Sequence, residues 1–305
     1  MILIVTTERH RYTHASVVSE DSVDVRVISY DEMKKHASAL PVATYVFTDM
    51  DRLAPSQLRR AAGQYRALQK LGQTVLNDPA RVLSRFGLLR ALNRAGVNRF
   101  DAYRVEDLEE PRQWPVFVRF ETEHGDPFSD LLRNRKELDA SIARAIDRGL
   151  PRSALIVIEY AAEPVQPGLF RKLSAFRVGD RILGYTCVHD DQWVVKYGKP
   201  AIATPELYEE EYEIVANSPF ADVLRPVFDT AGVDYGRVDF GLVGGKPQIY
   251  EINSNPDIKL TAEPSTVARR NESNALFRDN YLAALQAIDT PNEKSGVGKA
   301  KATAL

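Results

Sequence analysis

The stretch Gly236 to Pro256, GRVDFGLVGGKPQIYEINSNP, constrains the fold more than any other part of the chain. Two alternating apolar runs flank Gly244-Gly245, a pattern that predicts a β-hairpin. If the loop takes in Gly244, Gly245 and Lys246, Val243 opposes Pro247 and Asp239 opposes Glu251. Asn253 then lies two residues further along the same face. A two-residue loop slides the register by one and sends the acids to opposite faces. Val238, Phe240, Leu242, Tyr250 and Ile252 form the core side in the first case, and Gly241 leaves the acidic face open between Asp239 and Val243. Carboxylates directly opposed on a ribbon cost a few tenths to ~1 kcal/mol, so the pattern asks for a cation. Magnesium takes oxygen ligands and keeps its other positions for water and phosphate, which suits two acids and an amide. A solvated acidic face is the alternative; the polar turn Asn253-Ser254-Asn255-Pro256 weighs against it.

The rest of the chain is read around this hairpin. At 305 residues, 44% hydrophobic and 27% charged, it can bury two or three packed lobes. A formal net charge of −2 gives no basic field for nucleic acid. The single cysteine, Cys187, excludes an internal disulfide framework, and no CxxC or Cys/His cluster points to zinc. MILIV is too short for a signal segment and no later run approaches a membrane span, so a cytoplasmic protein is expected.

MILIV, VDVRVIS and ATYVFTD read as strands, with SQLRRAAGQYRALQKLG a helix opened by Ser56 and closed by Gly72: a parallel α/β lobe. NDPARVLSRFGLLRALNRAGV reads as a helix capped at Asn77/Asp78 before Pro79 and ended by Gly96. Then come a strand PVFVRF, a helix NRKELDASIARAIDRG and a strand ALIVIEY. FRKLSAFRVGDRILGYTCV turns at Gly179-Asp180, and two further helices flank the acidic hairpin. The tail 291–305 reads as disordered.

With those residues in view, the hairpin resembles the C-terminal signature of the ATP-grasp superfamily: Arg-x-Asp, about a dozen residues, then Glu-x-Asn and Pro. The resemblance runs over roughly residues 77–260. It implies an α/β fold with an N-terminal parallel pre-grasp lobe (1–80), a small central lobe (81–162) and a C-terminal antiparallel-sheet lobe (163–290). It also implies that Asp239, Glu251 and Asn253 hold one or two Mg²⁺ ions, replaceable by Mn²⁺, on the phosphates of ATP. Arg237 would stabilise charge on the reacting acyl or phosphoryl group. Two family lysines that touch phosphate correspond to Arg85, eleven residues before Gly96, and to Arg119 in PVFVR. Charge is kept, but a point ammonium becomes a planar fork. Glu159, Tyr160 and Ala161 fall at the hinge that receives adenine, Glu163 or Gln166 at the ribose, and Lys196 in QWVVKYG at the γ-phosphate. Arg171, Lys172 and Arg177 supply nearby charge.

Two departures stand out. The lid segment 121–134, ETEHGDPFSDLLRN, has one glycine, Gly125, where the family cradles phosphate with several; His124 and Ser129 are its other donors. Asp257 takes the place of a glycine after NxxP, at an expected helix start. His10, Arg11 and His14, after the first strand, are candidate substrate contacts.

The resemblance implies an ATP-dependent carboxylate–amine ligase working through an acyl phosphate. Its substrates would be a small-molecule or peptide carboxylate and an amine acceptor, with no nucleic acid or membrane partner, and family habit implies a homodimer. A phosphotransferase acting on a hydroxyl, or a nucleotide-binding regulator with degraded catalysis, are the alternatives.

Overall fold

The computed structural model describes residues 1–36, 39–107, 109–260 and 264–289; the expected disordered tail lies outside them. The N-terminal part holds β1 (Ile2–Thr6), α1 (Ala15–Val18), β2 (Val25–Ser29), α2 (Tyr30–Lys35), β3 (Thr44–Phe47), α3 (Pro55–Lys70) and β4 (Thr74–Leu76). The strands form an all-parallel sheet in the order β2-β1-β3-β4. β1 and β3 are buried along their whole length, as strands covered on both faces must be. α3 opens with Pro55 at its first position, not at Ser56.

The helix expected from Asn77 is shorter: α4 spans Arg85–Arg94, and Ser84 caps it by accepting the Gly87 amide at 3.2 Å. Asn77 instead adopts a left-handed φ of 61° and is fully buried. Its Nδ2 donates to Phe47 O at 2.9 Å and Tyr235 O at 2.7 Å, while its Oδ1 accepts from the Asp234 and Tyr235 amides. One amide side chain therefore stitches the parallel sheet to the C-terminal one.

β5 (Ala102–Arg104), β6 (Val116–Phe120), α5 (Arg135–Asp147) and β7 (Leu155–Glu159) follow, the strands forming an antiparallel sheet in the order β5-β7-β6. Last come β8 (Phe170–Val178), β9 (Arg181–Asp190), α6 (Pro205–Asn217), α7 (Ala221–Ala231), β10 (Tyr235–Val243), β11 (Lys246–Asn253) and α8 (Ala268–Ile288). Their sheet is antiparallel in the order β11-β10-β8-β9. This is the α/β arrangement expected, with a parallel sheet first and two antiparallel sheets after it. α6 was not anticipated; its buried Leu207, Tyr208, Glu211, Ile214 and Val215 recur at helical spacing beneath a run of glutamates. Among the described residues, no helix is long and apolar enough to cross a membrane.

The acidic hairpin reaches the expected pairing by a different route. Its loop has two residues, since Val243 pairs with Lys246 across Gly244 (φ 57°) and Gly245 (φ 73°). Left alone, that turn would put the acids on opposite faces. A bulge intervenes: Phe240 pairs with Ile249 but Asp239 pairs with Glu251, leaving Tyr250 as the extra residue. Tyr250 leaves the core side and donates from Oη to Ala161 O at 3.1 Å. It also covers Gly241, where any Cβ would collide with the phenol, so Gly241 makes room for Tyr250 rather than an open face. Val238, Phe240 and Ile249 keep the other side in the core.

The segment after β11 is held by the N-terminal part. His14 is fully buried, with Nε2 2.7 Å from Asn255 Oδ1, so it is not a surface substrate contact. Burial pulls its pKa down to about 4, whereas an unfolded imidazole titrates near ~6.5. Below that pH the unfolded chain binds the extra proton first, so folding stability falls with pH and the loss levels off once the folded imidazole also titrates. At ~1.4 kcal/mol per unit, His14 should account for a loss of about 3 kcal/mol between pH 6.5 and 4. Urea titrations across that window should show a visibly flatter pH dependence for His14→Gln than for the parent chain.

Candidate functional site

A cleft opens between the small antiparallel sheet and the C-terminal sheet. Its two ends differ in chemistry. One is apolar and aromatic, lined by Leu89, Phe117, Ile158, Tyr160, Trp193 and Tyr250. Trp193 packs against Phe117 with centroids 5.1 Å apart and meets Tyr160 edge-on at 5.7 Å. The other end carries Arg119, His124, Lys172, Lys196, Asp239 and Glu251.

The two acids are held by the chain's own cations. Asp239 is buried; it accepts from Ser174 Oγ at 2.9 Å and from Arg237 Nε at 2.8 Å, and Lys172 Nζ stands 3.3 Å away. Glu251 is ion-paired with Arg85, and His124 Nδ1 lies 3.7 Å from it. Burial alone would push the Glu251 carboxyl up, but Arg85, His124 and Arg119 together hold it well below the usual range. Burial lowers Arg237 as well, yet Asp239 overrides this and raises it. Arg119 goes the other way: burial, then the like charge of Arg85, pull it down to about 10.

Not every donor here is satisfied. Of eight buried side-chain polar atoms without a hydrogen-bond partner among the described residues, four belong to Arg85, Arg119, Glu121 and His124 beside this end of the cleft. Arg85 Nε and Arg119 Nε are unmet cationic donors, as an anion site requires. Opposed hard-oxygen donors with unmet cationic donors nearby fit a divalent ion carrying a phosphate. Asp239 and Glu251 face the cleft. Asn253 does not line it; its Oδ1 accepts the Asn255 amide at 2.9 Å and retains one free lone pair.

The hinge residues Glu159, Tyr160 and Ala161 all line the cleft, at the end of β7 and in its continuation. The Glu159 carboxylate turns away into a closed network, accepting from the Asp101 amide at 2.8 Å, Tyr103 Oη at 2.7 Å and the Arg112 amide at 2.7 Å. Glu163 sits off the cleft, where it accepts the Gly244 amide at 2.6 Å and so ties the hairpin loop to the hinge. Lys196 lines the cleft with Nζ 3.5 Å from Asp126 of the lid. Arg171 pairs with Glu210 and Arg177 with Asp229, which leaves Lys172 as the one of the three that reaches the acids. His10 bonds to Asp49 at 2.9 Å and Arg11 to Glu32 at 2.8 Å. Asp257 is exposed and precedes α8 by eleven residues, so it starts no helix.

The lid is built from side chains. Arg85 donates to the carbonyls of Glu121 and Glu123, each at 2.8 Å, and Arg119 to Glu123 O at 2.9 Å. His124 Nε2 bonds Asp51 Oδ2 at 2.9 Å, a partner far away in sequence. Ser129 closes the base, its Oγ accepting the Val118 amide at 2.9 Å. Trp193, Tyr250 and Asp51 belong to the site and were not singled out as site residues from sequence, although Trp193 stands in QWVVKYG and Tyr250 beside Glu251 in the hairpin. Folding also brings Cys187, His189 and Glu210 within 4.8 Å of one another, a cluster with no spacing signal. Arg171 occupies its glutamate and burial pushes its thiol up, so it is not a ready metal site.

No known family model matches the chain, and no curated protein matches it in sequence. Among solved structures it is similar to D-alanine–D-alanine ligase from Bacillus anthracis complexed with ATP, at 12% identity over 94% of this chain and 98% of that one, with a TM-score of 0.53. A second structure of that ligase is similar at 10% identity, with the same coverage and a TM-score of 0.51. At such identities the likeness establishes a shared fold alone and leaves activity to be argued from the site.

The ion pairs at Glu251 make a stability prediction. Glu251→Gln strips the carboxylate from Arg85 and leaves two neighbouring guanidinium groups uncompensated. Breaking one side of a buried pair costs ~3–5 kcal/mol. Urea unfolding should register a loss of that order, and Glu251→Gln/Arg85→Met should recover part of it.

Proposed function

We propose that the chain is an ATP-dependent carboxylate–amine ligase. The observation that carries this reading is one cleft whose aromatic end suits a flat apolar ring and whose other end sets two opposed carboxylates among Arg119, Lys172 and Lys196. A nucleoside triphosphate with a divalent cation matches both ends at once. The fold shared with an ATP-complexed ligase supports the same ligand.

In this reading adenine lies between Tyr160, Ala161 and Trp193, and Arg85, Arg119 and Lys196 meet the phosphates. Asp239, Glu251 and the free lone pair on Asn253 would hold Mg²⁺ or Mn²⁺, which when bound neutralises charge on the phosphate chain. A substrate carboxylate oxygen attacks the γ-phosphorus and ADP leaves, giving an acyl phosphate. An amine then attacks the acyl carbon, and phosphate departs with the bonding electrons. Arg237, anchored by Asp239, faces the charge that develops on the acyl phosphate. The chain supplies positioning and charge stabilisation and no covalent nucleophile. A cytoplasmic setting and a homodimer belong to the same reading.

A second reading, a nucleotide-binding regulator, is favoured by one observation: both carboxylates are already matched by the chain's own cations. Turnover separates the two. Phosphate release from ATP should depend on a carboxylate and an amine supplied together, and Asp239→Asn should lower it by at least ~10²-fold in a protein whose circular dichroism is unchanged. Nucleotide binding without any such release, across a screen of amino acids and small peptides, decides for the regulator.

A further inference from the structure

A second cavity of about 240 Å³ lies where the loop after β3, the start of α3, the N-terminus of α4 and the lid converge. Its wall is apolar, with Met50, Leu53, Leu58, Val82 and Leu83, and its polar end holds Asp51, Glu121 and His124. Among the described residues, His124 alone lines both this cavity and the cleft. The imidazole is thus a shared wall, with Asp51 on the cavity side at 2.9 Å and Glu251 on the cleft side at 3.7 Å. Whatever occupies the second cavity has its polar end next to the acidic end of the cleft.

Size and hydrogen bonding describe that occupant. The space, about 240 Å³, exceeds the ~150 Å³ that holds benzene in an apolar cavity, and an apolar wall of this extent suits an apolar group. The ionisable groups facing the polar end are Asp51, Glu121, Arg85 and His124. Arg85 is committed to Glu251 and to the lid carbonyls, and Glu121 keeps one oxygen unmet beside its 2.9 Å pair with Arg104. The carboxylate oxygens at this end, Asp51 and the unmet Glu121 Oε1, are acceptors that the N–H groups of an amine can meet.

We propose that this cavity seats the acceptor amine and selects amines carrying a bulky branched or aromatic apolar substituent, with the nitrogen at the Asp51–His124 end. The proposal deepens the ligase reading and rests on it. Held there, the neutral amine attacks the acyl carbon of the acyl phosphate. The C–N bond forms, the C–O bond to phosphate breaks, and the departing phosphate carries off the electron pair and takes up the amine proton. Leu58 and Leu83 are then specificity-determining residues, since they bound the space and touch no part of the nucleotide cleft.

The test measures binding by calorimetry on the full chain with Mg²⁺-ATP present, using leucinamide, phenethylamine and glycinamide as probes. Leucinamide and phenethylamine should bind at least about tenfold more tightly than glycinamide, the scale on which apolar pockets discriminate. Leu58→Trp should remove that preference and leave Mg²⁺-ATP affinity unchanged; Leu83→Trp, at another wall, does the same if the first variant folds poorly. Equal affinity for the three amines, or a preference untouched by both variants, overturns the acceptor pocket and leaves the ligase reading standing. Absence of Mg²⁺-ATP binding by the parent chain removes the ligase reading and this inference with it.

Discussion

Two carboxylates set opposite each other on a ribbon need positive charge, and the rest of this site is arranged to supply it. Desolvation opposes ionising Glu251, yet Arg85, His124 and Arg119 hold it well below the ordinary carboxylate range. The compensation comes from every side: Arg237 from the same strand, Lys172 from β8, Arg85 from α4 and His124 from the lid. These groups reside on separate layers of the fold. The acids therefore act as a hub on which the central lobe, the lid and the C-terminal sheet converge, and removing either one leaves cations from several elements without a counter-charge.

That hub has two possible sources of compensation. In the structure described it is the chain's own basic side chains. In the proposed ligase reading, Asp239 and Glu251 would hold an entering divalent ion, and Arg85 and Arg119 would then be available to the phosphate oxygens. Their unmet Nε atoms already show that the protein alone does not exhaust their donors. Such an exchange would keep the local charge near balance with and without the ligand. The aromatic end of the cleft contributes no charge at all. Tyr160 and Trp193 form an apolar wall there.

Much of this was legible in the sequence because it is local. Alternation and Gly-Gly marked the hairpin, and apolar runs marked the buried strands. The reason for the facing acids was not legible. A two-residue turn and a bulge at Tyr250 each shift the register by one, and only their sum restores the pairing of Asp239 with Glu251. Strand periodicity cannot reveal two compensating slips. The helix assigned from Asn77 failed for a related reason: its cap-like side chain is used 158 residues away, on Tyr235. Glu159 lines the cleft, yet its carboxylate is taken up by donors of its own lobe: the Asp101, Arg112 and Gln113 amides, Tyr103 Oη and Gln113 Nε2. Nothing in the sequence named Asp51 or Trp193, because what qualifies them is a neighbour brought in by folding.

The arginines at 85 and 119 and the glycine-poor lid, two departures that look separate in sequence, have one physical explanation. A glycine-rich lid offers backbone amides to phosphate and must approach it closely. Here the lid presents carbonyls inward, and guanidinium groups bind them: Arg85 spans Glu121 O, Glu123 O and the Glu251 carboxylate at once, while Arg119 takes Glu123 O. A lysine ammonium is a single charged point; a planar fork with five donors can hold two carbonyls and a carboxylate together. The arginine is what lets a lid with one glycine close over the acids, and with His124 joined to Asp51 that lid is also fastened to the N-terminal lobe. Substituting lysine at 85 would keep the charge and lose the closure.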